Sequence, residues 1–113
     1  MNETFYIALL FLVVGVVFAG LGFPLMRRRI PPNIWYGFRT RKTLSNEELW
    51  YSINQVTGKD MIWIGAIIAA VSLIVMALRE RISTETAVIV MVAVCLISTA
   101  YMAIHGIAML RRM

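Results

Sequence analysis

The sequence predicts an all-α membrane protein, with three transmembrane helices and a cytoplasmic amphipathic interfacial helix between the first and second spans. Three observations carry this. The 113 residues are 60% hydrophobic and only 15% charged, whereas soluble domains run about 45–50% apolar and about 25% charged. Three runs carry no Asp, Glu, Lys or Arg: the 23 residues Thr4–Met26, the 18 residues Met61–Leu78 and the 25 residues Thr86–Leu110. A helix rises about 1.5 Å per residue, so each is of the order needed to cross a hydrocarbon core of about 30 Å. The longest charged stretch, 27–60, holds seven of the eleven Lys and Arg residues. The expected layout is a single membrane domain over 1–113, with spans about 4–26, 61–78 and 86–110 and a motif loop at 27–60.

The first span is expected to be retained. A signal peptide has a basic n-region and a short apolar core; here Glu3 precedes a long apolar run and no Lys or Arg does. Lys and Arg flanking the spans then set orientation. Seven lie in 27–60 and two at the C-terminus (Arg111, Arg112), against two in 79–85 (Arg79, Arg81). The rule places the loop and C-terminus in the cytoplasm and the N-terminus outside, in the plasma membrane. The net charge of +5 is thus explained by topology and contact with membrane lipids, without direct nucleic-acid binding.

Lipid supplies no hydrophobic drive for helix association, so small residues that allow close backbone approach matter. Each span offers such a stripe at i, i+4, i+7: Gly15, Ala19 and Gly22; Gly65, Ala69 and Ser72; Thr99, Ala103 and Gly106. A three-helix bundle is expected. Within the charge-free runs His105 is the one titratable imidazole, with Tyr101 one turn earlier on the same face. It reads as an interfacial histidine satisfied by water or headgroups, with a pH-sensing or ligand role as the alternative. The lone Cys95 reads as a small hydrophobe. One cysteine and one histidine exclude paired-cysteine redox sites and multi-histidine metal centres. No cofactor, no metal and no enzymatic activity are expected. The absence of an intramembrane carboxylate argues against a proton-coupled transporter.

The loop 27–60 carries the most specific pattern. Arg27-Arg28-Arg29 is a topology signal. Pro31-Pro32 enforces extended backbone. Trp35, Tyr36 and Phe38 suit an interface, and Gly37 permits positive φ. Ser45-Asn46-Glu47-Glu48 reads as a capping box, with Ser45 as N-cap, Glu48 at N3 and a Leu44–Leu49 staple. Leu49, Ile53 and Val56 then share a face. This is the expected interfacial helix, either pausing at Gly58 or running on towards Leu78.

The run Pro32-Asn33, Gly37, Arg39-Thr40, Thr43-Leu44, Asn46-Glu47, Trp50 and Gly58 resembles the signature of the SdpI family, bacterial integral-membrane immunity proteins that protect a cell against a secreted peptide toxin. The match covers about 27 contiguous residues, and the three-span layout is similar to the family's short, module-only form. Other members have proline after Arg-Thr, where this chain has Arg41, and histidine four residues after the tryptophan, where it has Asn54. The resemblance implies a peptide toxin as partner, and in some members a repressor held at the membrane. It implies Pro32, Asn33, Gly37, Arg39, Thr40, Asn46, Glu47, Trp50 and Gly58 as the toxin-, partner- or lipid-binding motif. Arg39 offers a planar fork to a phosphate, a toxin carboxylate, Glu47 or Glu48, and Trp50 an interfacial anchor or a stack on Arg39. The competing reading is that these residues only fold the loop. Alternatives of other classes are a holin-like pore former and a lipid-contacting accessory subunit. The toxin and the oligomeric state are not legible in the sequence.

Overall fold

A computed structural model describes residues 2–112. The described chain is helical in four elements: α1 Glu3–Met26, α2 Arg41–Leu44, α3 Glu47–Ala77 and α4 Thr84–Arg112. The three long helices are each apolar and long enough to cross a membrane. The molecule is elongated, 51 × 23 × 19 Å, as three nearly aligned long helices require.

Of the two courses open to the interfacial helix, the structure takes the second: it does not pause at Gly58. Its residues form the first half of α3, which runs unbroken for 31 residues, about 46 Å at about 1.5 Å per residue. Nothing in 47–77 interrupts the backbone ladder: no proline is present, and Gly58 lies within the helix rather than at an end. The helix start is also one residue later than the expected frame. Asn46, not Ser45, is the N-cap, its side chain accepting from Leu49 N at 3.1 Å. Asn caps at least as well as Ser, and Ser45 is already engaged at the end of α2, its hydroxyl donating to Lys42 O. The capping box belongs instead to α2, where Thr40 and Thr43 satisfy one another reciprocally. Leu44 is consequently exposed rather than stapled.

α1 and α3 approach at backbone contact. The carbonyl of Gly22 faces Gly58, and Gly15 faces Gly65 and Ala69, so the stripes on the first two spans do pack, with Gly58 added. Ser72 is fully buried and returns its hydroxyl to Ile68 O at 2.7 Å. The third stripe does not behave this way. Thr99 and Ala103 are exposed, and Gly106 receives the ring of Phe38 from the loop rather than a neighbouring helix. α4 buries only Ala87, Met91 and Gly106. Near its first turn it is joined to the N-terminal end of α1 by the Thr4–Thr84 hydroxyl pair (3.1 Å), beside the Asn2 amide that donates to Arg79 O (2.9 Å).

α1 ends in a Schellman motif. Arg29 N–H reaches Pro24 O and Arg28 N–H reaches Leu25 O, with Arg28 at φ 58°, the left-handed position usually given to glycine. The next two arginines of the topology signal therefore also have structural work. Arg27 lies over Phe23 and Arg28 over Tyr51, and Arg28 bonds Glu48 at 3.1 Å. That last pair is largely exposed and contributes little.

Candidate functional site

The motif loop folds onto the extension of α3 around two buried side chains. Trp50 has no exposed surface, and its indole N–H donates to Ile30 O at 2.8 Å. It is covered by protein and does not stack on Arg39. One turn on, Asn54 is also buried. Its Oδ1 accepts from Phe38 N at 2.5 Å, and its Nδ2 donates to Trp50 O (3.0 Å), with Phe38 O more distant at 3.4 Å. The amide thereby satisfies backbone groups that the loop would otherwise bury unpaired. Gly37 passes directly over this pair at φ 112°. A Cβ there would lie 2.7 Å from Asn54 Oδ1 and 3.2 Å from the Trp50 ring, so both the backbone angle and the space demand glycine.

The rest of the motif shapes the loop to fit that clamp. Asn33 makes an Asx turn after Pro31-Pro32, accepting from Trp35 N and Tyr36 N (both 2.8 Å) and donating to Pro31 O. The Arg39 guanidinium donates to Ile34 O and closes the turn. Thr43 is fully buried; its Oγ1 accepts from Thr40 N (2.8 Å) and donates to Phe38 O (3.1 Å). Pro32, Asn33, Gly37, Arg39, Thr40 and Trp50 thus converge on one substructure, with Asn46 capping the helix beside it. Glu47 is exposed in the first turn of α3, paired with neither Arg39 nor Arg28. Gly58 serves the α1 contact. Two further residues of the clamp lie outside the expected site set: Asn54, where other members have histidine, and Thr43, which belongs to the signature run. Asn54's signal was a polar residue one turn from Trp50, on its buried side.

Burial also pushes the Tyr36 phenol above its ordinary pKa, and its hydroxyl is buried without a hydrogen-bond partner among the described residues. Removing it leaves nothing newly unsatisfied. Tyr36→Phe is therefore expected to leave stability unchanged or raise it by up to about 1 kcal/mol, read as the midpoint of thermal unfolding in detergent.

A second cluster joins α3 to α4. His105 Nδ1 lies 2.6 Å from Asp60 Oδ2, and Tyr101 stacks on the imidazole at 5.5 Å and 24°. His105 is thus paired to protein rather than left to water or headgroups. The unbroken α3 brings the partner: Asp60 lies within the helix, its side chain only 13% exposed. Among the described residues no group of three His, Cys, Asp or Glu side chains is placed to hold a metal.

The SdpI/YfhL protein family model matches residues 29–105, a stretch that begins just after α1 and ends at His105. The chain belongs to the SdpI/YfhL protein family. It is a membrane protein of that family, with three apolar helices of spanning length. No curated protein and no solved structure matches it. The SdpI/YfhL match takes in the loop, the clamp residues of α3 and the Asp60–His105 pair together.

Proposed function

We propose that this protein is an integral-membrane immunity protein that protects the producing cell against a secreted, membrane-active peptide toxin, acting by binding rather than catalysis. The observation that carries the reading is the family match, which spans the clamped loop, all of α3 and most of α4. The proposed topology follows the excess of Lys and Arg in 27–60 and at the C-terminus: N-terminus outside, loop and C-terminus in the cytoplasm.

The clamp supports a division of labour within the motif. Trp50, Asn54, Gly37 and Thr43 face inward and hold the loop. Trp35, 84% exposed, and Ile34, 67% exposed, face outward, in a loop that also carries Arg39, Arg41 and Lys42. An apolar tip in a basic loop suits toxin segments or anionic headgroups at the interface, and it is the surface a membrane-tethered repressor would use.

Membrane potential in bacteria expressing the chain, challenged with a panel of membrane-active peptides, tests this. The wild type is expected to preserve the potential against its toxin. Trp35→Ala, which removes an exposed ring, is expected to lose most of that protection at unchanged stability, and Arg39→Ala to lose it together with the turn at Ile34. Full protection by Trp35→Ala would remove the loop tip from the mechanism. Collapse of the potential on expression alone would favour the holin-like pore former.

A further inference from the structure

Between α3 and α4 lies a cleft of about 460 Å³, walled by Ile64, Ile67 and Ile97, with Trp63 and Tyr101 beside Asp60. The volume falls in the usual range for small-ligand sites, about 300–1,000 Å³. It opens along the α3–α4 seam, beside the core contacts made by Val94, Cys95 and Met102 of α4.

The cleft has one formal charge. Asp60 lines it and is largely removed from solvent. An ionised carboxylate only accepts hydrogen bonds, so the His105 ring donates through Nδ1. Oδ2 is taken by His105, and Oδ1 accepts no hydrogen bond from the described residues. No Lys or Arg lines the cleft. A carboxylate largely removed from solvent favours a cation beside it. Beside it stand the rings of Trp63 and Tyr101, and aromatic faces next to a carboxylate are the chemistry that selects a bulky, weakly hydrated cation.

We propose that this cleft binds a lipophilic cation, with Asp60 as counter-ion, Trp63 and Tyr101 as aromatic walls, and the isoleucines around its apolar body. His105 is a positioning residue that orients the carboxylate and, by stacking, Tyr101. The occupant is a free lipophilic cation rather than a bilayer phospholipid, because no Lys or Arg lines the cleft to receive a phosphate. This is independent of the immunity reading.

The test is binding of tritiated tetraphenylphosphonium to the purified full chain in maltoside micelles. Saturable binding of one cation per chain is expected. Asp60→Asn is expected to weaken it at least about tenfold, Trp63→Ala and Tyr101→Ala each about threefold to tenfold, and Asp60→Glu to retain most of it. Ile97→Trp, which fills the cleft without touching Asp60, guards against misfolding of the Asp60 variants and is expected to abolish binding with the helix content intact. Non-saturable uptake, or uptake unchanged in both Asp60→Asn and Ile97→Trp, would show partition into the micelle and overturn the proposal. Displacement by phosphatidylethanolamine would assign the cleft to a lipid headgroup and overturn it equally.

Discussion

Gly65→Leu and Gly58→Leu should each prevent the α1–α3 pair from closing. A Cβ on Gly65 would lie 2.5 Å from Gly15 O and 2.6 Å from Ala19 N. On Gly58 it would lie 2.5 Å from both Gly22 O and Met26 N. These obstacles are backbone, so no rotamer change relieves them. Overpacking a core costs about 1–3 kcal/mol when side chains can shift; against fixed backbone the cost should reach the top of that range or beyond. Even Gly65→Ala should be strongly destabilising. Gly20 is the internal control. It lies on the same helix as Gly15 and Gly22, yet a Cβ there meets nothing within 4 Å, so Gly20→Ala should be neutral or slightly stabilising through helix propensity. Thermal loss of the monodisperse species in detergent, compared across the four variants, reads the contrast. Equal behaviour of Gly20→Ala and Gly65→Ala would mean that the helices do not meet at these glycines.

Trp50→Ala should free the motif loop. Deleting a fully buried tryptophan costs about 3–5 kcal/mol, and here it also strands Ile30 O, whose donor is the indole. Asn54→Leu should act in the same direction with a smaller effect. It keeps the volume but leaves Phe38 N–H without its acceptor, at about 1–3 kcal/mol for a buried unsatisfied group. Limited proteolysis reports both. Trypsin should cut at Arg39, Arg41 and Lys42 many times faster in Trp50→Ala than in wild type, while the spanning helices stay protected. Unchanged cleavage would mean that the loop is held by something other than the Trp50–Asn54 clamp.

The spans were legible because lipid forbids unpaired charge, which turns sequence into a plain count of uncharged residues. Their pairing was half legible. Small residues on the first two spans mark the interface, but the same pattern at Thr99 and Ala103 stays exposed, since glycine and alanine are common in membrane helices whatever they face. The motif was visible as a spacing while its mechanics were not. Trp50 looked like an interfacial anchor because a helix that outruns the bilayer buries residues against a loop, and sequence periodicity does not show what covers a face. The capping frame slipped by one because Ser45 and Asn46 are both good caps, and only the short α2 decides between them. Asp60 and His105 are 45 residues apart, and the carboxylate fell one residue before a charge-free run, so nothing local linked them.

The uneven attachment of the helices has a mechanical consequence. α1 and α3 form a rigid hairpin pinned at two glycine crossings, whereas α4 buries only three residues and leaves a cleft along its flank. Pulled from the C-terminus, the chain would peel rather than shear: the Gly106–Phe38 and His105–Asp60 fastenings yield first, and the paired helices hold until α4 is gone. During synthesis the hairpin is complete before α4 emerges, so the last helix docks onto a finished scaffold and serves as its movable wall.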